Sequence, residues 1–500
     1  MAATAIGNTL APETTMRHWN SGPFFLVVLL ASVALSSCYG MRPSRGGGQT
    51  GFTPPRVATP GDVALPAGYK IDVVATGLTF PTGIAFDGAG VPHVVESGYS
   101  YGEVFTTPRL LRINPDGSNA EVARGAKNGP WNGVAYADGH FYVAEGGQLE
   151  GGRILRIAPD GAITALVENL PSRGDHHTNG PVVGPDGKVY FGQGTATNSG
   201  VVGEDNAKFG WLKRFPQFHD VPCRDVTLAG HNVESADPLG KTQGRVSTGA
   251  FVPFGTPTQP GQVIEGRVPC SGAILRVDRD GGAPELVAWG FRNPFGLAFS
   301  PEGQLYATDN GYDDRGSRPV WGTADHLWRV SEGAWYGWPD YSGEQRLNKD
   351  HHTPPGQQPP APLLQQPPGE PPKPVARFGV HASANGFDFS RSAAFGHVGQ
   401  AFVAEFGDQS PDTGKSLHPV GFRVVRVDVA NGHVEDFAVN TGRKNAPASR
   451  LGTGGLERPV AVRFDPGGRA LYVVDFGVML MDATGPKPQP GTGVVWRITR

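Results

Sequence analysis

One pattern of strands and turns recurs about six times along this chain of 500 residues. Each copy has an apolar segment, a turn, a second apolar segment, a variable loop and a third segment that ends in a turn. The copies begin at Gly83, Gly133, Gly180, Gly296, Gly386 and Val460. Such a unit is a small sheet that cannot bury both faces alone, and repetition around an axis solves this problem. The pattern therefore predicts an all-β fold, a six-bladed β-propeller over residues 65–500.

Composition and turn chemistry agree with short strands. The chain has 73 Gly and 46 Pro, and only 18% of its residues are charged. Pro-Asp-Gly turns, which suit hairpins, close several of the units. The net charge of −3 and the lack of a basic block argue against a nucleic-acid partner. We expect Tyr69–Val74 to pair with the last blade and close the ring.

Two insertions interrupt the repeat. The first covers about residues 198–270 in the third unit, and we expect it to form a folded, loop-rich cap. It contains Cys223 and Cys270, which in an exported protein most often form a disulfide bond, although two free buried thiols are the alternative. The second covers about residues 345–376. It has ten prolines between Thr353 and Pro374, which predicts a stiff, extended loop.

The N-terminus has the features of an export signal. An apolar run from Phe24 to Leu35 follows Arg17 and is too short to span a bilayer. It ends in Leu-Ser-Ser-Cys, which resembles the lipobox of bacterial lipoproteins and implies cleavage before Cys38 and lipid on its sulfur. We therefore expect residues 1–38 to be a signal peptide and residues 39–64 a flexible tether. The protein would be a periplasmic or cell-surface lipoprotein that meets the membrane through this anchor only.

Three segments depart from the repeat and could carry chemistry. Asp175–Asn179 (DHHTN) precedes the inner strand of the third unit, and a histidine there is a candidate base. Arg292 and Asn293 occupy the equivalent point of the fourth unit and could bind a carboxylate. Asp309–Gly316 (DNGYDDRG) offers oxygen ligands of the kind that Ca²⁺ prefers. The plainer alternatives are a loop histidine bonded to backbone, an arginine that caps strand ends, and a solvated acidic turn.

The order of these motifs resembles a known family. Asp-His before a Gly-Pro-Asp-Gly turn, then Arg-Asn-Pro-x-Gly-Leu-Ala-Phe, then the acidic turn and Tyr336–Pro339 (YGWP) is similar to the soluble glucose dehydrogenase and sorbosone dehydrogenase family. The resemblance implies a six-bladed propeller that binds pyrroloquinoline quinone and Ca²⁺ over its channel. It also implies oxidation of a small sugar, with electrons leaving to an external acceptor.

The resemblance assigns a role to individual residues. His176 falls on the catalytic base, which takes a proton from the substrate hydroxyl while hydride passes to the quinone. The residues that fall at or beside the cofactor and substrate are Asn128, Asp175, Arg292, Asn293 and Arg458. Gly311 and Tyr312 fall on the positions whose carbonyls hold Ca²⁺, and Asp313 and Asp314 add carboxylates beside them.

The sequence also departs from the family at cationic positions. Leu456 stands where a second cofactor arginine is expected, and Phe406 or Gly407 where a lysine is expected. Tyr312 replaces a proline of the glucose enzymes. Two other functions therefore stay open. One is a non-catalytic propeller of the cell envelope that binds glycan or protein, and the other is a calcium-dependent lactone hydrolase.

Overall fold

The inner strands of six antiparallel sheets pack against one another around a central channel. The structure is a computed structural model. It describes residues 44–48, 51–100, 104–147, 150–208, 210–240, 244–442, 445–482 and 484–500. The predicted six-bladed β-propeller is confirmed. The signal peptide and Cys38 lie outside the described residues.

The first three blades each have four strands, ordered from the channel outwards. Blade 1 consists of Pro81–Phe86, Pro92–Glu96, Arg109–Ile113 and Asn119–Arg124. Blade 2 consists of Trp131–Ala137, His140–Glu145, Gly152–Ile157 and Ile163–Leu170. Blade 3 consists of Thr178–Val183, Val189–Gln193, Ala273–Val277 and Glu285–Trp289.

The other three blades follow the same plan, and the last two recruit strands from the start of the chain. Blade 4 consists of Pro294–Phe299, Leu305–Asp309, Ala324–Arg329 and Ala376–Val380. Blade 5 consists of Ala384–Phe389, Ala401–Glu405, Arg423–Asp428, His433–Asn440 and Val63–Ala64. Blade 6 consists of Pro459–Phe464, Ala470–Asp475, Gly493–Thr499 and Lys70–Leu78.

Short elements complete the described chain. The helices are Glu204–Lys208, Trp211–Arg214 and Ala448–Leu451, with 3₁₀ turns at Pro60–Asp62 and Asp350–His352. Five small two-stranded sheets pair Tyr99–Ser100 with Val104–Phe105, Val226–Thr227 with Val263–Ile264, Val233–Ala236 with Arg245–Thr248, Tyr341–Ser342 with Gln345–Arg346, and Met479–Asp482 with Gly485–Pro488. Within the described residues no helix is long and apolar enough to cross a bilayer.

Glycines explain why the inner strands can pack so closely. A Cβ at Gly83 would lie 2.7 Å from the Cα of Gly133 in the next blade. A Cβ at Gly133 or Gly296 would overlap a backbone carbonyl of the following blade, and one at Gly386 would lie 2.9 Å from Ala461. Backbone therefore meets backbone between neighbouring blades. The glycine that opens most of the repeats is a steric requirement of this contact.

The ring closes where the sequence predicts. Lys70–Leu78 pairs antiparallel with Gly493–Thr499 as the outer strand of blade 6. The start and the end of the propeller thus share one sheet, so neither end leaves a blade incomplete.

The cap insertion folds on blade 3 and is stapled by a disulfide bond between Cys223 and Cys270, with their Cα atoms 5.0 Å apart. The predicted disulfide is confirmed. The proline-rich loop packs on this cap, since Leu364 forms a bridge with Leu228. The Asp340 carboxylate accepts the backbone N–H groups of Leu363 and Leu364. The two insertions therefore support each other.

The predicted tether differs from a flexible chain over its described residues. We call residues 44–48 the strap. The Gly47 N–H donates to the Asp408 carboxylate (2.9 Å), and a Cβ at Gly46 or Gly47 would overlap Asp408 or the Phe422 ring. Further on, the Arg56 guanidinium forms a buried ion pair with Asp475 (2.6 Å). The glycine run that suggests flexibility is instead what allows the strap to lie flat on the propeller.

Replacement of Gly47 by Val should detach the strap. The new side chain would collide with the Phe422 ring, and overpacking of this kind costs about 1–3 kcal/mol. We expect trypsin to cut after Arg45 at least about fivefold faster than in the wild type, by the same estimate. Gly51→Val is the control, because nothing lies within 4 Å of a Cβ there. Equal cleavage rates in all three proteins would show that the strap is not packed.

Candidate functional site

A buried polar side chain ends the second strand of every blade. These residues are Glu96, Glu145, Gln193, Asp309, Glu405 and Asp475. Asp475 accepts the backbone N–H groups of Glu457 and Arg458, both at 2.8 Å. Asp309 does the same for Arg292 (3.1 Å) and Asn293 (2.7 Å). In blades 4 and 6 the carboxylate thus holds the loop that leads into the inner strand.

Asp309 therefore belongs to the scaffold of the site. Burial raises the pKa of its carboxyl to about 7. It fixes the backbone of Arg292 and Asn293, so that both side chains reach one cleft above the channel. The same cleft is lined by Asp175, His176, Gly311 and Asp313. Six residues singled out by the sequence, which come from two blades, are thus brought together.

His176 has a defined proton arrangement. Its Nδ1 lies 2.9 Å from the Thr195 carbonyl oxygen and 3.1 Å from the Thr195 hydroxyl, which itself donates to the Thr197 carbonyl. Since both neighbours of Nδ1 are acceptors, Nδ1 carries the proton and Nε2 has the free lone pair. Burial and the charge of Arg292 lower the pKa of His176 well below its usual value. The ring is therefore neutral at neutral pH, as a base must be.

Arg315 forms ion pairs with three carboxylates at the cleft. Its guanidinium contacts the carboxylates of Asp175 (2.5 Å), Asp205 (2.7 Å) and Asp313 (2.9 Å). Asp205 lies on the helix Glu204–Lys208 of the cap. The cap thus contributes directly to the cleft.

Arg292 is held in the same network. It donates to Asp313 (2.8 Å) and to the side chain of Asn198 (2.9 Å). Both guanidiniums that line the described cleft are therefore already ion-paired.

Other predicted residues lie apart from the cleft lining. Asn128 braces blade 2, where it donates to Glu145 and the Gly151 carbonyl, both at 3.0 Å. The Tyr312 hydroxyl donates to the Tyr341 carbonyl (2.9 Å) beneath the cap. Asp314 is half-buried, and its pKa is raised by burial and by the neighbouring Asp313.

Arg458 is fully buried behind the cleft. Its Nη1 donates to the carbonyls of Gly407 and Asp408, both at 3.1 Å, and its guanidinium lies about 5 Å from the rings of Phe406 and Phe422. Burial lowers its pKa to about 10. Its Nε and Nη2 have no hydrogen-bond partner among the described residues. A ligand in the cleft could touch Arg458 only if the residues that bury this side chain moved.

A line of amides crosses the top of the channel, and none of the sequence motifs predicted it. Asn132 donates to Asn179 (3.1 Å), Asn179 to Asn293 (2.9 Å), and Asn293 to Asn310 (2.9 Å). The signal is visible in the sequence, because Asn or Thr stands directly before the first glycine of several inner strands. These neutral amides offer hydrogen bonds to hydroxyl groups without adding charge.

The charge of the cleft does not fit a tricarboxylate quinone. The described lining residues include four carboxylates (Asp175, Asp313, Asp325 and Asp412) and two guanidiniums, and Asp412 also pairs with Lys208, which lies outside the lining. His176 and His381 add no positive charge, since burial lowers the pKa of both. Three further negative charges would be desolvated without an available cation.

The acidic turn does not gather its carboxylates around one point. Asp309 faces backbone N–H groups and Asp313 faces guanidiniums, while the Tyr312 carbonyl accepts the Thr323 hydroxyl (3.1 Å). In the described part of the chain, no three His, Cys, Asp or Glu side chains converge in a metal-binding arrangement. These side chains therefore do not converge on a metal, and the Ca²⁺ site at the carbonyls of Gly311 and Tyr312 stays a prediction.

Comparison with known families tests the resemblance to the sugar dehydrogenases. Residues 264–396 match the family model for glucose / sorbosone dehydrogenase. The resemblance is confirmed. The matched span contains Arg292, Asn293 and the acidic turn, whereas Asp175, His176 and Arg458 lie outside it. No curated protein matches the sequence.

Solved structures share the fold at low sequence identity. The holo form of the pyranose dehydrogenase PQQ domain from Coprinopsis cinerea is 15% identical, with a TM-score of 0.51, over 92% of this chain and all of that one. A Trichoderma reesei structure of carbohydrate-active enzymes family AA12 is also 15% identical, with a TM-score of 0.51, over 90% of this chain and all of that one. At this identity the likeness shows the propeller fold alone.

We expect pyrroloquinoline quinone to bind weakly even with Ca²⁺ added. Two missing charge-assisted hydrogen bonds at about 1.5–3 kcal/mol each would weaken binding at least about 150-fold relative to a site that makes them. We therefore expect calorimetry to detect only micromolar or weaker binding. Asp313→Asn removes the carboxylate that pairs with Arg292 and one negative charge of the cleft, so it should tighten binding at least about tenfold, as about 1.4 kcal/mol would. Asp314→Asn, which touches neither guanidinium, is the control. Nanomolar binding by the wild type would contradict this assignment.

Proposed function

We propose that this protein is an oxidoreductase that removes hydrogen from a CH–OH group of a neutral sugar or polyol, with His176 as the base. The observation that carries the proposal is the arrangement of His176, whose protonated Nδ1 is fixed by Thr195 and whose Nε2 has the free lone pair. The dehydrogenase family model that matches residues 264–396 supports the reaction class.

The residues of the cleft have separate roles in the proposed reaction. The substrate O–H proton passes to Nε2 of His176, and the C–H hydride passes to an external two-electron acceptor, which leaves a carbonyl group on the product. Arg292 and Arg315 keep the acids of the cleft paired, so that the histidine faces a fixed polar wall. The amides that end on Asn293 and Asn310 can bind the other hydroxyl groups.

The surplus of carboxylates favours a neutral or cationic acceptor. Suitable probes are 2,6-dimethylbenzoquinone, which is uncharged, and phenazine methosulfate, which is cationic. The tricarboxylate quinone that the resemblance implies has no step in this mechanism, because the lining charge does not fit it. No step is assigned to Ca²⁺, whose predicted ligands are the carbonyls of Gly311 and Tyr312.

A second function is favoured by one observation. The amides and paired charges would also suit a propeller that binds glycan without converting it. Binding of sugars to a wild-type protein that oxidises none of them with any acceptor would favour this function.

Replacement of His176 by Ala should lower turnover at least about 100-fold, the low end for a positioned general base. The assay follows reduction of phenazine methosulfate with a panel of aldoses and polyols. Because burial and Arg292 lower the pKa of His176, the wild-type rate should be flat through neutral pH and fall only on the acid side.

His177→Ala tests the register. His177 faces the channel below the cleft, and burial lowers its pKa to about 4. We expect a small effect on turnover. Loss of activity in this variant alone would show that the wrong histidine is assigned, and full activity in both would remove the general-base mechanism.

We also propose that the protein is an exported lipoprotein anchored through Cys38. The Cys223–Cys270 disulfide supports an oxidising compartment. Expressed in a bacterial host, the mature protein should begin at Cys38, carry diacylglycerol on that residue and partition with membranes. Cys38→Ala should remove the lipid mass and release the protein. An unmodified N-terminus in the wild type would refute the anchor.

A further inference from the structure

A second cavity lies between blade 2 and the cap, and it shares no lining residue with the cleft. Its volume is about 550 Å³. One wall comes from Asn169–Arg173, directly after the outer strand of blade 2, and the other from Arg214–Val221 and Arg267 of the cap. The volume falls in the usual range for small-molecule sites, about 300–1,000 Å³.

The walls of this cavity are strongly basic. Arg173, Arg214 and Arg267 are all exposed to it, and none of them forms an ion pair with any described residue. The one acid on the wall, Glu150, already pairs with Arg153 (2.8 Å). The net charge of the protein is −3, whereas this wall carries three arginines that form no ion pair with a described residue. The wall is therefore positive on a protein that is negative overall. Such a wall favours an anion.

The floor of the cavity is apolar. Leu170, Phe218 and Val221 are buried there, and the Phe215 ring is half-exposed. The Arg173 guanidinium carbon lies 5.1 Å from the centre of that ring. A cation over an aromatic face is a surface on which a flat, unsaturated ligand can stack. An inorganic anion has no apolar surface and would gain no binding energy from this floor.

The cavity is held open by the covalent structure of the cap. The Arg267 N–H donates to the carbonyl of Pro222 (3.0 Å), next to Cys223, and the Ser271 N–H donates to Val221 (2.8 Å), next to Cys270. The disulfide therefore fixes the segment that carries Arg267 against the segment that carries Val221. This wall of the cavity is therefore preformed, which lowers the entropic cost of binding a ligand.

We propose that this cavity is a binding site for a small aromatic carboxylate. The ring would stack on the Arg173 guanidinium, which lies over Phe215, and the carboxylate would take a bidentate hydrogen bond from Arg214 or Arg267. This site does not depend on the proposed oxidoreductase activity, because the catalytic cleft and the cavity have separate linings.

The test is calorimetry of the whole protein with 2-naphthoate, with 2-naphthylmethanol and inorganic phosphate as comparison ligands. We expect naphthoate to bind at least about tenfold more tightly than either, as about 1.4 kcal/mol of difference would give. Added salt should weaken the binding, since exposed charges are screened. Equal binding of the alcohol would remove the role of the arginines, and equal binding of phosphate would remove the role of the floor.

The double variant Arg214→Gln/Arg267→Gln should lose at least about tenfold in naphthoate affinity. Arg224→Gln is the matched control, because it removes the same charge from the same cap outside the cavity. Unchanged affinity in the double variant, or no binding of naphthoate to the wild type at millimolar concentration, overturns the proposal. If the double variant does not fold, the salt dependence and the ligand comparison in the wild type still decide the question. Sugar oxidation should be unaffected by naphthoate, which separates this site from the cleft.

Discussion

Backbone contact between neighbouring inner strands is the constraint on which the rest of the structure depends. Gly83, Gly133, Gly296 and Gly386 allow one blade to touch the next without an intervening side chain. Loops from separate blades meet above the channel as a result. Between the third blade, which carries His176, and the fourth, which carries Arg292, Gly192 has this role, because a Cβ there would overlap the Pro294 carbonyl. A bulkier residue at these glycines would separate the blades and pull the cleft apart.

Much of the fold could be predicted because its signals are local. A turn and two apolar strands identify each blade, and the closing strand shows the same apolar spacing. Apart from this closing strand, the sequence pattern does not predict the outer strands. Asn119–Arg124, for example, is largely exposed, so it lacks an apolar pattern and receives its structure from the neighbouring strand. The glycine run of the strap predicts a flexible linker, because the same sequence suits a free segment and a segment packed where no Cβ fits.

The site was less predictable because its partners are distant in sequence. The ion pair of Arg315 with Asp205 joins the acidic turn to a cap helix, and no local sequence motif predicts this pair. Asp309 was grouped with Asp313 by proximity in the chain, yet Asp309 repeats the role of Asp475 in another blade. Comparison of equivalent blade positions would have revealed this. Family resemblance placed Arg458 at the cofactor, whereas burial and carbonyl contacts hold it behind the cleft.

The shared sheet of blade 6 has a consequence for how the chain can fold. A ribosome releases Lys70–Leu78 early, but the strand that it pairs with, Gly493–Thr499, follows all the other blade strands in the sequence and is made much later. Until that strand emerges, one strand edge at each end of the growing arc has no partner and is open to pairing with another chain. The contact that seals the ring is also nearly the longest in sequence, so it forms late and slowly. We therefore regard the final blade as the point at which a nascent molecule is most prone to aggregate.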